Sequence, residues 1–424
     1  MRRLLAPLRT SFARHASILS SGQFMAAAVS LLAAPVLSRI YPPAAYGVLA
    51  SYMAVAAVLS TISNWQYSQA IIVESSHRRA FALVWLSIYA TLASTVGATA
   101  IGIGLWLLPS AGHELHEAAA WFLLLPLTVL CAGPVAALGA LATRLAHFRR
   151  IATVQVLASV VTVAFSFGLG LAHWGVTGLM VGYFAGQICS LIVYGRLWLS
   201  LDRPPRPKWR YVKALASKHR HFAFWTTPSM FVGQFGMQVP IYLLGLANNL
   251  TYVGAFSRGR QLLLLPLGLV GTAISQVFYQ RASADMARDG NCVRLYRKAA
   301  IGLFVLATPP VAVLMIIAPW LFTFLLGPNW TIAGEIARVL APMLLLQLIC
   351  GPIAIVMLIA GRQAEDFWFQ TGFAALTAVF AGIPLVLGLG AYAIVVGYAV
   401  GQSLMYLAYF VRCDWLAHGR TRPK

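Results

Sequence analysis

Acidic residues are scarce in this chain. Its 424 residues include only ten aspartates and glutamates, and charged residues of both signs make up 10% of the total. Hydrophobic residues make up 60%. A water-soluble fold of this length needs much more polar surface than this composition supplies, so the sequence excludes a soluble globular protein and indicates an integral membrane protein.

The positions of the acidic residues narrow the function further. All of them lie at the ends of long apolar runs or between the runs, and no run carries a carboxylate near its centre. Ionisable groups inside a membrane are costly and usually mark the path of a substrate or an ion. Their absence argues against an exporter of cationic drugs and against a carboxylate proton relay. The acidic residues are Glu74, Glu114, Glu117, Asp202, Asp285, Asp289, Glu335, Glu365, Asp366 and Asp414.

Other chemical signatures are missing as well. The five cysteines have no metal-ligand spacing and are expected to be free thiols. No glycine-rich loop of the Walker type is present, which argues against ATP hydrolysis. The predicted external connections are too short to form a domain with paired carboxylates, which an enzyme acting on lipid-linked sugars would need. We therefore expect a protein that is not an enzyme and that binds no metal or cofactor.

Long apolar runs make up most of the chain. A run of about 20 apolar residues is long enough to cross a bilayer, and the chain contains twelve such runs. Backbone amides cannot stay unpaired in lipid, so each run predicts a membrane helix. The first run follows a basic N-terminus, as in a secretory signal, but its length indicates a retained helix. The predicted spans are 18–37, 48–73, 81–108, 119–141, 151–171, 176–197, 222–246, 262–279, 299–326, 339–360, 367–387 and 391–411.

The basic residues predict the orientation of these spans. If the N-terminus is cytoplasmic, four of the 31 lysines and arginines fall outside and the other 27 fall inside. The positive-inside rule describes this bias, so we expect both termini to be cytoplasmic. Attraction to an anionic inner leaflet also explains the net charge of +21 better than nucleic-acid binding does. The four external residues are Arg39, Arg258, Arg260 and Arg338.

An internal repeat indicates how the spans are organised. The sequence VGYFAGQ at 181–187 returns 215 positions later as VGYAVGQ at 396–402. The two copies are six crossings apart, an even number, so they cross the membrane in the same direction and the halves are related by an axis along the membrane normal. The alternative is a coincidence among glycine-rich apolar helices.

The repeat predicts the fold class. We expect an all-α membrane protein with twelve transmembrane helices in two parallel six-helix lobes around a central cavity. The N-terminal lobe is expected at 1–200, a basic cytoplasmic linker at 201–221 and the C-terminal lobe at 222–424. Gly182 and Gly186 are four residues apart, as are Gly397 and Gly401, so each pair lies on one helix face that another backbone can approach. We expect each pair to pack within its own lobe.

Amide side chains in or near the spans are candidates for substrate binding. They would line a wet cavity suited to a hydroxyl-rich ligand, and residues four apart, such as Gln234 and Gln238 or Ser60 and Asn64, would share a helix face. The alternative is that they form hydrogen bonds that only hold helices together. The candidates are Gln23, Asn64, Gln66, Gln69, Gln234 and Gln238.

The four external arginines are the second group of candidates. A guanidinium group presents paired donors that match phosphate oxygens. Arg258, Arg260, Arg39 and Arg338 are therefore interpreted as possible contacts for a phosphate-bearing substrate. The alternative is contact with outer-leaflet headgroups or with the C-terminal ends of helices, and the functional interpretation is stronger for Arg258 and Arg260 than for the other two.

Short motifs resemble one known family over nearly the whole chain. They are SRIYP at 38–42 followed by YG at 46–47, QYSQAIIV at 66–73, and LGPNW at 326–330 followed by AG at 333–334. They are similar to those of the lipopolysaccharide O-unit flippase and polysaccharide-export family, within the multidrug/oligosaccharidyl-lipid/polysaccharide exporter superfamily. Relatives often carry Arg-Tyr-Glu where this chain has Gln66-Tyr67-Ser68, so both charges are absent together and no role is carried over to those two positions.

The resemblance implies a two-lobed flippase of the bacterial inner membrane. Such a protein moves a polyprenyl-diphosphate-linked oligosaccharide from the cytoplasmic to the periplasmic leaflet by alternating access, for assembly of O-antigen, which is part of lipopolysaccharide, or of exopolysaccharide. The implied partners are the lipid-linked glycan, membrane lipids and a polysaccharide polymerase, without nucleic acid. Two alternatives stay open, a small-molecule exporter of the same superfamily and a polytopic glycan polymerase or glycosyltransferase. The energy source and the sugars of the substrate are not indicated.

Overall fold

The computed structural model describes residues 2–107, 119–202 and 205–419. Within these ranges, the backbone is described without the side chains at residues 2–20, 266, 269, 270, 273, 276, 363 and 364. The described residues are helical and contain no strand. Some residues that bear on the predicted orientation lie outside the described side chains. They are the segment around Glu114, the basic residues before position 20 and the C-terminal residues beyond 419. The α-helices within these ranges are α1 (Arg2–Ile40), α2 (Pro43–Ile62), α3 (Tyr67–Val73), α4 (His77–Leu107), α5 (Leu125–Arg144), α6 (Phe148–Leu171), α7 (Val176–Ser200), α8 (Trp209–Lys218), α9 (Thr227–Leu246), α10 (Leu250–Asp289), α11 (Val293–Leu326), α12 (Thr331–Ile353), α13 (Val356–Ile359), α14 (Gln363–Val386) and α15 (Ala391–Ala417).

The helices confirm that the chain is a multi-pass membrane protein. Among the described residues, eleven helices or joined helical segments are long and apolar enough to cross a membrane, and they coincide with eleven of the twelve predicted spans. The remaining predicted span, 262–279, lies within α10, a continuous helix of 40 residues. Five side chains of α10 lie outside the described set. The five cysteines are free, as expected.

The prediction of one continuous second span at 48–73 is wrong. α2 ends at Ile62 and α3 begins at Tyr67, and the turn between them places Trp65 and Gln66 at φ values of 50° and 57°. The break leaves backbone carbonyls without helical hydrogen bonds, and side chains donate to them instead. Gln66 Nε2, for example, donates to the Thr61 carbonyl at 2.5 Å. Asn64 therefore lies in a turn, and its predicted helical i,i+4 relation to Ser60 is also wrong.

Contacts between residues divide the chain into two compact units. The first unit comprises Met1–Tyr41 and Ser51–Gln234, and the second comprises Pro42–Ala50 and Phe235–Lys424. This division differs from the predicted lobe boundaries at 201–221, because it falls inside α9 and assigns the start of α2 to the second unit.

The core of the first unit lies among α3 to α8. Its fully buried side chains include Ile71, Leu83 and Leu141 from three different helices. The predicted linker is part of this core, because α8 inserts Val212 and Leu215 into it, exposed by 0% and 4%. Apolar residues on one face of α8 and charged residues on the other explain why a short basic helix packs here.

The core of the second unit lies where α10, α11, α13 and α15 meet. Tyr296 is fully buried and its hydroxyl donates to the Phe410 carbonyl at 2.9 Å. Phe278, Val356 and Cys413 contribute the surrounding apolar side chains. These contacts join the end of α10 to the start of α11 and the end of α15.

The glycines of the internal repeat confirm the predicted packing. A Cβ atom on Gly182 would collide with Ser166, and one on Gly186 would collide with Thr162, both on α6. A Cβ atom on Gly397 would collide with the Phe380 carbonyl, and one on Gly401 would lie 3.0 Å from the Leu376 carbonyl, both on α14. The α6–α7 pair and the α14–α15 pair therefore pack alike, each inside its own unit.

A buried carboxylate and the backbone beside it connect four helix ends of the first unit. Glu74 follows α3, and its side chain is 2% exposed. It accepts from Lys218 Nζ at 2.7 Å and lies 3.1 Å from His219 Nε2, both at the end of α8, and Arg79 of α4 lies 3.6 Å away. Arg144, at the end of α5, donates to the Ser75 carbonyl at 3.0 Å. The hydrogen bond from Lys218 outweighs burial and lowers the pKa of Glu74 to about 2.

Replacing Glu74 by glutamine is expected to destabilise the purified protein by about 1–2 kcal/mol at pH 7, less than for a fully buried pair because Lys218 is half exposed. The folded-state pKa lies below the ordinary value of about 4.3, so the carboxylate stabilises the fold fully above that pH and progressively less as the pH falls towards 2. Denaturation in detergent should show the gap between wild type and Glu74→Gln narrowing from pH 7 to pH 3. The matched control is Asp289→Asn, which removes an exposed ion pair to Arg288 and should cost almost nothing. An undiminished gap at pH 3 would contradict the ionic explanation.

Candidate functional site

Two close backbone approaches in the second unit position the strongest candidate. The Asn249 side chain accepts from the Tyr252 amide at 3.0 Å and caps the start of α10. A Cβ atom on Gly254 would collide with the Pro43 carbonyl, and one on Gly47 would collide with the Leu250 carbonyl. Only glycine leaves room for this contact, so the starts of α2 and α10 lie directly against each other.

This contact places an aromatic ring beneath Arg258. The guanidinium carbon lies 4.7 Å from the centre of the Tyr46 ring, and Nη1 donates to Gln261 Oε1 at 3.1 Å. The Tyr46 ring in turn packs edge-on against Trp330 at 5.3 Å, and Trp330 is fully buried. We call Tyr46, Arg258 and Gln261 the arginine cluster.

The arginine cluster contains donors that lack acceptors. Arg258 is only 7% exposed, and its Nε and Nη2 atoms are buried without a hydrogen-bond acceptor among the described residues. The Nε atom of Arg260, a half-buried residue, also lacks a hydrogen-bond acceptor among the described residues. Neither arginine forms an ion pair with a described carboxylate, although Arg260 interacts electrostatically with Tyr406.

The energetics of the arginine cluster favour an anion. A buried donor left without an acceptor costs about 1–3 kcal/mol, and more when it is charged, whereas a cation–π contact returns only about 0.5–2 kcal/mol. The two Arg258 donors without acceptors are therefore only partly compensated by Tyr46 and Gln261. A phosphate or diphosphate supplies several acceptor oxygens and the opposite charge.

The other two predicted arginines are less confined. Arg338 is exposed on α12, where Nη2 donates to the Ile316 carbonyl at 3.3 Å. The acceptor lies in the interior of α11, so this contact holds Arg338 against the neighbouring helix rather than capping a helix end. Arg39 is exposed at the end of α1, in the first unit. The ligand role of both residues stays a prediction.

The predicted amides occupy several different places. Asn64 and Gln66 are buried in the turn between α2 and α3, and Gln69 is exposed on α3 with Nε2 3.5 Å from Gln66 Oε1. These contacts account for their polarity by local hydrogen bonding. Gln23 is exposed on α1, and Gln234 and Gln238 are half-buried one turn apart on α9. Substrate binding by these residues stays a prediction.

Sequence reasoning missed the aromatic part of the arginine cluster. Tyr46 and Trp330 are far from Arg258 in the chain, so spacing could not connect them. The available signal was that both belong to the short family-like motifs at 46–47 and 326–330. Gln261 is three residues from Arg258 on the same helix, and helical spacing could have paired them.

A family model and a known protein are similar to this chain in sequence. A family model described as polysaccharide biosynthesis protein matches residues 36–335. The amylovoran biosynthesis protein AmsL of Erwinia amylovora is 22% identical over 261 residues, which cover 59% of this chain. The matched region spans 66% of that relative, slightly less than two thirds of its length.

Known structures of transporters share the fold. The lipid II flippase MurJ in an inward closed conformation superposes with a TM-score of 0.73 at 13% identity, over 94% of this chain and 89% of that one. An inward-facing multidrug transporter of the MATE family, in the MOP superfamily, gives a TM-score of 0.64 at 14% identity, over 92% and 95% of the two chains. At this level of identity the similarity establishes the fold, and it confirms the predicted class of twelve membrane helices in two six-helix lobes.

Proposed function

This chain belongs to the polysaccharide biosynthesis protein family, and from that membership we propose that it is a flippase for a polyprenyl-diphosphate-linked oligosaccharide. It moves this substrate from the cytoplasmic to the periplasmic leaflet of the bacterial inner membrane, by alternating access, for the assembly of O-antigen or exopolysaccharide. The observation that carries the proposal is the arginine cluster, with two buried Arg258 nitrogens that have no acceptor among the described residues.

The chemistry of the substrate fits the arginine cluster. The diphosphate carries the charge that is most costly to bring into a membrane, and guanidinium donors reduce this cost by binding its oxygens. Arg258 is held by Tyr46 and Gln261, so little side-chain entropy is lost when the diphosphate binds. The polyprenyl tail stays in the lipid, and the inside-negative membrane potential favours outward movement by about 2.3 kcal/mol per negative charge per 100 mV.

Two of the similar proteins support this substrate class. The flippase with the TM-score of 0.73 is named for lipid II, and the relative from Erwinia amylovora is named for the biosynthesis of amylovoran. A polysaccharide polymerase that consumes the exported unit is the partner we propose on the periplasmic side. The sugars of the substrate are left open.

A small-molecule exporter of the same superfamily is the second candidate, and the fold shared with a multidrug transporter favours it. Its cationic substrates would require a carboxylate within a span. Among the described residues the acidic side chains lie near helix ends or in connections. A glycan polymerase or glycosyltransferase is less favoured, because the two solved structures named above are a flippase and a transporter.

Orientation is part of the proposal. Since 27 of the 31 basic residues fall on one side in the twelve-span topology, both termini are proposed to be cytoplasmic. A reporter fused after Lys424 should show a cytoplasmic location, and one inserted near Glu114 should show a periplasmic location. Both reporters on the same side would contradict the twelve-span topology.

Reconstituted vesicles test the function directly. Purified protein should move a fluorescent polyprenyl-diphosphate oligosaccharide between leaflets, measured by its accessibility to a membrane-impermeant quencher. Protein-free vesicles should show no movement, and the same protein should leave cationic dyes untransported. Transport of dyes without movement of the lipid-linked glycan would favour the exporter, and elongation of the glycan would favour the polymerase.

A further inference from the structure

A second group of cations without carboxylate partners surrounds a pocket in the first unit. The pocket has a volume of about 420 Å³ and lies between the start of α4, the end of α7 and the segment at 205–211 that leads into α8. Arg78, Arg206 and Lys208 line it, and its lining contains no acidic side chain. We call it the α4–α8 pocket.

The three cations of the α4–α8 pocket are not used in ion pairs. Among the described residues, none of them has a carboxylate partner. The neighbouring Arg79 differs from these three cations, because it lies 3.6 Å from the buried Glu74 carboxylate. Three unpaired positive charges around one cavity produce a local positive potential that attracts an anion.

Aromatic rings fix the geometry of the α4–α8 pocket. The Arg206 guanidinium lies over the Trp85 ring at 4.7 Å, and its Nη2 donates to the Tyr89 hydroxyl at 3.0 Å. Trp198 packs edge-on against Trp85 at 6.4 Å and stacks with Phe81 at 5.4 Å. Arg206 is therefore held in place by uncharged groups, which leave its remaining donors and its full charge for a ligand.

The indole wall of the α4–α8 pocket differs between the two copies of the internal repeat. With the offset of 215 residues, the counterpart of Trp198 is Cys413, which is 1% exposed and belongs to the core of the second unit. The internal repeat therefore does not require an indole ring at this position, and packing of the α6–α7 pair does not explain it.

We propose that the α4–α8 pocket binds the phosphate of an anionic phospholipid headgroup, with Arg78, Arg206 and Lys208 on the phosphate oxygens and the indole rings against the glycerol. The start of the 31-residue α4 adds the positive end of a helix dipole. The pocket lies at the ends of two membrane helices, where a headgroup can enter it and the acyl chains remain in lipid. Free phosphate offers the same oxygens, but it does not use the apolar indole wall. This inference is independent of the substrate proposed above.

Lipid retention tests the proposal. The full chain, released from nanodiscs containing equal amounts of phosphatidylglycerol and phosphatidylcholine, should retain phosphatidylglycerol in native mass spectra. Arg78→Gln with Arg206→Gln and Lys208→Gln should reduce this retention by about tenfold. The matched control is Arg210→Gln with Lys213→Gln and Arg220→Gln, which removes the same charge from exposed residues that do not line the pocket, and it should retain the lipid as wild type does.

Three outcomes would overturn the proposal. Equal retention by the pocket variant and wild type would show that the pocket does not bind the lipid. Equal losses in both triple variants would assign the effect to general surface charge. Displacement of the lipid by inorganic phosphate at millimolar concentration would assign the pocket to free phosphate. Since all six residues are exposed or only partly buried, circular dichroism should show wild-type folding for both variants.

Discussion

Replacing Arg258 and Arg260 together by alanine is expected to abolish surface-glycan assembly while the protein still inserts into the membrane at a normal level. Arg258 is 7% exposed and has two nitrogens without acceptors among the described residues. If the diphosphate supplies those acceptors, removing both guanidinium groups leaves the most costly part of the substrate without compensation. Glycan display in a complemented deletion strain and protein level by immunoblot provide the measurement.

The same substitutions should not destabilise the fold. A buried charge with donors that lack acceptors destabilises the free protein, so its removal is expected to leave the melting temperature unchanged or raised. Arg258→Lys should restore export only in part, because lysine is a single point donor without the planar fork of arginine. The matched control is Arg281→Ala, an exposed arginine near the other end of α10, which should export normally. Full export by the double alanine variant would remove the arginine cluster from the mechanism.

Measurements of stability and activity together therefore distinguish two roles of Arg258, support of packing and binding of a ligand. A residue that only supports packing loses activity and stability together when it is replaced. A residue held in an unfavourable state for its ligand loses activity while stability is kept or gained. The cation–π contact with Tyr46 offers a further variant, because Tyr46→Leu keeps an apolar surface and removes the ring face. This variant should weaken export less than the loss of Arg258 does.

The membrane helices and the repeat were predictable because their signals are local. Apolar runs of span length survive in the sequence whatever the tertiary fold is, and eleven of them coincide with described helices. The repeat was visible because glycines at a close contact tolerate no larger residue, as the positions of Gly186 and Gly401 show. Both signals depend on physical constraints within one or two neighbouring helices.

The break between α2 and α3 was hidden for a physical reason. Ser63, Asn64 and Gln66 are polar, but the run around them is apolar enough to be interpreted as one span. Their side chains satisfy backbone groups in the turn, as in the contact from Gln66 to the Thr61 carbonyl. A polar residue that binds ligand and one that caps a buried turn have the same identity in sequence, and only the structure separates them.

The candidate site was predictable only in part. Arg258 and Arg260 were conspicuous because they interrupt the charge bias of the chain, which is a property of the sequence alone. Their burial, the ring of Tyr46 and the missing acceptors depend on the contact between the starts of α2 and α10, which are distant in sequence. The packing of the predicted linker was not visible in the sequence for the same reason, since burial of Val212 depends on a partner helix elsewhere in the chain.

The α6–α7 contact gives the second large expected effect. Gly186→Leu should impair folding or membrane insertion, because even the first side-chain carbon collides with Thr162 and lies 3.1 Å from the Ala158 carbonyl. The backbone carbonyl cannot rotate away, so α6 and α7 must separate, at a cost of about 1–3 kcal/mol. Fluorescence-detected size exclusion of a tagged protein reports the folded fraction.

The same helix supplies the control. Gly195 of α7 has no neighbouring atom within 4 Å of a Cβ position among the described residues, so Gly195→Leu adds the same apolar bulk without a collision and should fold as wild type does. Gly401→Leu in α15 should repeat the defect of Gly186→Leu, because its Cβ would lie 3.0 Å from the Leu376 carbonyl of α14. Gln402→Leu, which removes only the 2.7 Å hydrogen bond to Thr377, should cost roughly 0.6 kcal/mol, as membrane hydrogen bonds do on average. If Gly186→Leu and Gly195→Leu fold equally well, close backbone packing does not explain why the glycines recur in both halves of the chain.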